Sequence, residues 1–164
     1  MGTNVYRGSD GSIALAVESG LEGDKAKAVS EAYSLTPIGR VTGVTVRVTN
    51  DVRPFHELGQ RFATELRPGN VNVYGTIDRA YINGALLKLM LGDAADSRPA
   101  GTFVSPSFNL SVRVENPSLP GTASTVTVMG VKLEEWNYGL PEDDFAMEKV
   151  NFRALWVKVE DATA

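Results

Sequence analysis

NDVRPFHELGQRFATELRPGNVNVYGTIDRAYINGALLKLMLG, residues 50–92, is the stretch around which the rest of the chain is organised. Pro54, Gly59, Pro68, Gly69 and Gly75 cut it into short extended pieces, and Asn83-Gly84 opens the one clear helix, which Gly92 closes. Proline removes a backbone donor and glycine admits unusual dihedrals, so these residues punctuate elements rather than continue them. The pattern predicts a hairpin handing over to a short buried helix. No group of residues within it has the makings of a reaction centre; the stretch is built to pair and stack.

Immediately upstream, RVTGVTVRVTN (residues 40–50) alternates with a period of two. Val44, Val46 and Val48 point one way and Thr45, Arg47 and Thr49 the other, as in a sheet with one buried and one wet face. Gly43 marks a bulge or a close backbone approach. Val52 to Leu58 is expected to return along this strand, with Pro54 confining it to an edge that another subunit could pair with. Arg61 to Leu66 extends, Pro68-Gly69 reads as a type II turn, and Asn70 to Ile82 is a long strand bent at Gly75. Asn83 is a good N-cap. From Gly84 to Leu91 only Lys88 is polar, so this helix is expected to be buried on more than one side.

Further out the chain is strand-rich. Ser12 to Glu18, Phe108 to Glu115, Ala123 to Glu135 and Val150 to Glu160 all read as strands, the last with Phe152 and Trp156 on one face. Ala26, Val29 and Tyr33 share a face at helical spacing, yet the lysines, serine and glutamate among them suit an exposed loop equally well. Residues 18–34 are expected to form a flexible loop. The total is about seven strands and one short flanking helix. Hairpin-like connections then imply a mainly β (α+β) fold, an antiparallel β-sandwich or barrel. At 164 residues the chain fits one domain spanning 1–164.

Composition narrows the chemistry. The chain has no cysteine, which removes disulfides, zinc fingers and thiol catalysis. No basic segment leads into an apolar run at the N-terminus, and nothing approaches the roughly 18 to 20 apolar residues of a membrane span. A soluble protein made in the cytoplasm, with no membrane insertion, is the expectation. Sixteen basic and twenty acidic residues give a formal charge of −4 with the signs interspersed, unlike the basic face of a protein that grips nucleic acid.

Candidate chemical residues are few. His56, the single histidine, lacks a second histidine or a cysteine to share a metal, and a partly exposed ring in a hydrogen-bonded interface is the plainer reading. Glu142, Asp143 and Asp144 crowd one loop without EF-hand spacing, and a solvated acidic loop accounts for them. There is no P-loop, no dinucleotide-binding glycine motif after a strand and no GxSxG. No catalytic, cofactor-binding or metal residue is assigned, and an enzyme is disfavoured.

The run from Arg40 to Gly92, with the opening MGTNVYRGSDGSIALA, resembles the tail tube proteins of tailed bacteriophages, particularly those with contractile tails. The resemblance rests on a hairpin, a Pro-Gly turn, a strand and a short Asn-Gly helix. It implies a structural virion protein whose six copies form a ring, with inner strands joined into one barrel and rings stacked into a tube. That tube would conduct double-stranded DNA into the host without specific binding. Its partners would be the tape measure, sheath, baseplate and tail terminator proteins. The location would be the virion tail, after synthesis in the bacterial cytoplasm.

On this reading Arg53, His56, Glu57 and Arg61 are candidates for contacts between subunits. The acidic loop of Glu142, Asp143 and Asp144 is a candidate for contacts between rings, and Thr45, Arg47 and Thr49 for the lumen. Six copies would carry a charge of −24, six times −4, and an acidic lumen would repel phosphates. Two alternatives remain: the inner tube of a type VI secretion system or contractile bacteriocin, and a monomeric β-sandwich binding module or hydrolase with a radius of gyration of roughly 15 Å.

Overall fold

Seven strands of the computed structural model form one curled antiparallel sheet, and its curl follows from two places where the chain breaks its own alternation. The structure describes residues 5–162; the first four residues of the opening motif lie outside that range. In chain order the elements are β1 (Gly11–Ala16), α1 (Leu21–Tyr33), β2 (Val41–Asn50), β3 (Arg53–Phe55), β4 (Glu65–Arg67), β5 (Val71–Ala80), α2 (Ala85–Leu91), β6 (Phe108–Glu115), β7 (Ala123–Gly139), β8 (Met147–Ala154) and β9 (Trp156–Ala162). The sheet order is β1-β6-β7-β8-β5-β2, with β9 pairing β7, and β3-β4 forms a separate two-stranded ribbon.

β7 belongs to two layers. Its first half pairs β6 on one side and β9 on the other, and its second half, from Lys132 to Gly139, pairs β8. At the crossover Gly130 has φ +67° and Leu155 breaks the opposite strand. A Cβ on Gly130 would meet the Leu155 side chain at 2.8 Å. Such irregularities bend a strand and let it pass from one layer to the other. The break also shifts the alternation by one residue. Phe152 is therefore fully buried while Trp156 is exposed, contrary to the expectation that they share a face.

Between the layers lies one apolar core. β1 and β6 supply Ile13, Leu15, Phe108 and Leu110; β5 and β8 supply Val73, Ile77, Val150 and Phe152. Gly75 is required at its position, because a Cβ there would sit 2.0 Å from the Thr45 carbonyl oxygen and 2.7 Å from the Phe152 ring. α2 contributes Ala85, Leu86 and Leu89 and leaves none of its residues exposed, as its nearly all-apolar sequence predicts. Gly84, not Asn83, stands at its N-cap; Asn83 lies one residue earlier, and its Oδ1 accepts from the Ala85 N–H at 3.1 Å.

Several expectations need correction. Residues 21–33 are helical, not a flexible loop. Ala26 is fully buried, with Val29 and Tyr33 packed against the core; Lys25–Asp93 (2.6 Å) and Lys132–Glu22 (2.9 Å) tie the polar side down. The helix thus docks through a narrow stripe, which a weakly amphipathic sequence conceals. The chain after Asn50 does not return along β2, whose partner is β5, with Asn50 opposite Val71. Residues 51–70 instead leave the sheet as a finger in which Arg53–Phe55 pairs Glu65–Arg67. Gly69 does not take the left-handed conformation of a type II turn; its N–H donates to Asn50 Oδ1 at 3.2 Å. The bulge expected at Gly43 is present as a register shift between Val41 and Gly43.

Candidate assembly surface

The layer β2-β5-β8-β7 has two faces of opposite chemistry, and its register reads them off. Val44, Ile77, Val150 and Trp136 form one cross-strand row, and Val46, Gly75, Phe152 and Leu133 the next; both rows face the core. The intervening rows face outward. One is Thr45, Thr76, Asn151 and Glu135; another carries Arg47, Tyr74 and Arg153; Thr49 and Asn72 lie opposite each other beyond them. The proposed lumen residues Thr45, Arg47 and Thr49 thus belong to a broad polar face. Its other members were missed, although alternation in Asn70–Ile82 and around Lys149–Arg153 carries the same signal.

Charge on this face is balanced and locally occupied. Arg153 Nε donates to Glu134 at 2.8 Å, and Asn151 Nδ2 donates to Glu135 at 2.9 Å. The Arg47 guanidinium sits 5.5 Å from the centre of the Tyr74 ring. Asp78 and Lys149 are cross-strand partners. The face is mixed in sign rather than acidic, and Arg47 has a place there as a cation over an aromatic ring.

Both edges of the layer are open. Among the described residues β2 has a strand on one side only, and β7 from Lys132 to Gly139 pairs β8 alone. An open edge carries a row of unpaired N–H and C=O groups, a template for another chain. The two edges are unlike one another and run in opposite directions, because successive strands across the layer are antiparallel.

Arg53, His56, Glu57 and Arg61, predicted to contact a neighbouring subunit, all lie in the finger, where every residue from 51 to 70 is exposed. The finger is also apolar, which its expected place as a returning strand concealed: Leu58 (105 % exposed), Phe62 (88 %), Phe55 and Leu66 lie uncovered. Runs of exposed apolar side chains mark interaction surfaces. Glu142, Asp143 and Asp144 are exposed in the loop between β7 and β8, flanked by exposed Leu140 and Phe145. That loop follows Gly139, the partner of Met147, which pairs Ala80 at the far end of β5 from Val71. The finger and the acidic loop therefore stand at opposite ends of the layer.

Among the described residues no group of three or more histidine, cysteine or acidic side chains is arranged to hold a metal. No helix among them is long and apolar enough to cross a membrane.

No protein-family model and no curated protein matches this chain. Solved structures do. The chain is similar to the cap of the anti-feeding prophage, a tube-terminating protein, at TM-score 0.64 and 9 % identity, covering 99 % of this chain and 95 % of that one. A sheath–tube complex of the PVC extracellular contractile injection system aligns at TM-score 0.63 and 12 % identity, over 97 % and 93 % of the two chains. The SPP1 tail tube aligns at TM-score 0.59 and 11 % identity, over 98 % and 81 %. The chain has the fold of these tail-tube and tube-terminating proteins.

Proposed function

We propose that this protein is the inner tube subunit of a phage tail or related injection particle. Six copies close into a ring, and rings stack into a conduit. The observation that carries the reading is the pair of unlike open edges on one polar-faced layer. β2 of one copy joins the Lys132–Gly139 edge of the next in antiparallel pairing, so each ring contact is head-to-tail and repeats until the ring closes. Closure leaves no exposed edge in this layer.

The polar face of the layer lines the bore. Thr45, Arg47 and Thr49 stand there beside Asn72, Tyr74, Thr76 and Asn151. Hydroxyl and amide groups keep the bore hydrated, and locally paired charges leave little field to grip a passing polymer. Weak adhesion suits double-stranded DNA crossing without specific binding. The finger and the acidic loop, on opposite ends, supply contacts between rings. Sheath, tape measure, baseplate and terminator proteins are the partners this role requires, and the virion tail is its location. The related-machine reading is supported by the likeness to contractile injection components, and it shares every contact above.

Negative-stain microscopy of the concentrated protein, with light scattering for mass, tests the proposal. Rings or hollow tubes are expected, alone or on addition of tail partners. A uniform 17.6 kDa particle that never assembles under either condition would overturn it.

A further inference from the structure

We propose that β2 of each copy pairs the Lys132–Gly139 edge of its ring neighbour in one defined register, slid two residues from level, with the neighbour's Glu135 opposite Arg47 and its Tyr138 opposite Val44. The inference rests on the ring reading above and fixes which residues of the two edges meet.

Charge disfavours the level register. A neighbour set level with the layer continues its cross-strand rows, and the row Arg47, Tyr74, Arg153 and Lys132 would bring Lys132 of one copy beside Arg47 of the next. Lys132 has its own anion in Glu22 at 2.9 Å; Arg47 would gain a cation beside it and no anion. Like charges directly opposite each other destabilise a strand pair. A slide of one residue would turn each core-facing side chain of the edge to the polar face. Two residues, about 7 Å along the strand, is the smallest slide that keeps both faces, and a sheet that closes into a barrel requires a fixed stagger. Slid one way, β7 sets Asn137 opposite Thr45 and Glu135 opposite Arg47, and the edge stays within β2 (Val41–Asn50) as far as Gly139. Slid the other way, Tyr138 and Gly139 run past the start of β2.

The two charges are available to each other. Among the ion pairs of the described residues neither Arg47 nor Glu135 appears. Both are exposed on the polar side of the layer. The Glu135 carboxylate accepts from the side-chain amides of Asn137 at 3.0 Å and Asn151 at 2.9 Å, which hold it at the edge. Opposite charges facing across strands stabilise the pairing.

The apolar side agrees. Tyr138 ends the core-side row of Val41, Arg79 and Glu148. Its ring stacks on Trp136 at 5.4 Å between centres and lies 4.5 Å from Tyr81, yet the residue is 42 % exposed. At the opposite edge, beside Arg40–Val44, the terminal strands β1 and β2 face each other without pairing. The groove between them has a volume of about 540 Å³ and is lined by Ile13, Ile38, Val41, Val44, Val112 and Val114 among others. The slide carries the neighbour's Tyr138 from Val41 to Val44, over this groove, and Leu140, 70 % exposed, follows on the same side. Apolar walls take an apolar cover, because water between them makes few hydrogen bonds.

The chain has no cysteine, so introduced pairs report the register directly. Thr45→Cys and Asn137→Cys lie at exposed positions; mixed and mildly oxidised, the two single variants are expected to give a cross-linked dimer that neither gives alone, and the double variant a ladder ending at the closed ring. Thr45→Cys with Glu135→Cys, opposite each other in the level register, is expected to link far less. R47E or E135R alone is expected to raise the concentration needed for ring formation by about tenfold, with recovery in the combined swap. Rings in which the Thr45/Glu135 pair links in place of Thr45/Asn137, or in which neither links, overturn the register and leave the ring reading standing. A swap that does not recover removes the Glu135–Arg47 contact. A wild-type chain that forms no ring, alone or with tail partners, overturns both.

Discussion

Arg79 and Glu148 face each other across β5 and β8 and form an ion pair at 2.5 Å, with side chains only 1 % and 0 % exposed. Further hydrogen bonds hold both side chains in place. Trp136 Nε1 donates to Glu148 Oε2 at 2.9 Å, and Arg79 Nη2 donates to Asn83 Oδ1 at 3.0 Å and to the Asn83 carbonyl at 3.2 Å. Asn83 also receives the first N–H of α2. One buried network thus ties three strands of the assembly layer to the helix that covers the core.

Breaking that pair from one side strands a charge in the interior. Glu148→Gln or Arg79→Met should each cost about 3–5 kcal/mol, whereas a joint apolar replacement that fills the volume should cost far less. Urea unfolding of the two single variants and the double checks this; near-equal losses in all three would contradict it.

Gly75 lies where β5 passes closest to β2 and Phe152. Gly75→Ala forces the Thr45 backbone away, at a cost of about 1–3 kcal/mol, and should disturb pairing at the β2 edge. A thermal melt together with ring formation by microscopy reads both effects.

Excising the finger should separate folding from assembly. Asn50 and Val71 are already cross-strand partners, so replacing residues 51–70 with Asn-Gly closes β2 and β5 with a two-residue hairpin. The excised chain is expected to melt within about 5 °C of the parent and to lose stacking. A chain that no longer folds would show that the finger supports the body.

Acid should weaken one surface pair. Arg113 Nη2 donates to Glu115 at 3.0 Å and the Gly121 N–H at 3.4 Å, and these hydrogen bonds, the arginine's foremost, hold the Glu115 carboxyl below its ordinary value. A carboxylate depressed on folding adds stability above its unfolded pKa of about 4.3, which is lost as pH falls through the lower folded value. The small melting difference between the parent and E115Q should therefore shrink between about pH 6 and pH 3. A difference that stays constant would remove the pair from the stability of this turn.

Much of the architecture was legible because alternation is local. The half-buried character of β2 and β6, the bulge at Gly43 and the all-apolar helix α2 each follow from neighbouring residues whose side chains must point one way or the other. The polar outer face was legible too, through Thr45, Arg47 and Thr49. Where periodicity was faint, reading failed. α1 buries little beyond Ala26, Val29 and Tyr33, so its packing against α2 and the Lys25–Asp93 (2.6 Å) and Lys132–Glu22 (2.9 Å) contacts, all between distant segments, distinguish it from a loop.

Partner choice was not legible at all. Val52–Leu58 has the composition of a returning strand, yet β2 pairs Val71–Ala80 because that segment can bury Val73, Ile77 and Arg79 against the core, while Pro54 and His56 would bring a missing donor and an imidazole to it. Likewise the parity shift at Leu155, the meeting of Arg79 with Glu148 and the seam groove beside Arg40 depend on residues far apart in the chain. The sequence by itself determined which faces are apolar and which are polar, because side-chain direction is set residue by residue. Only the tertiary structure decided which edges stay open and where the finger and groove stand, because pairing is a competition among distant segments for one core.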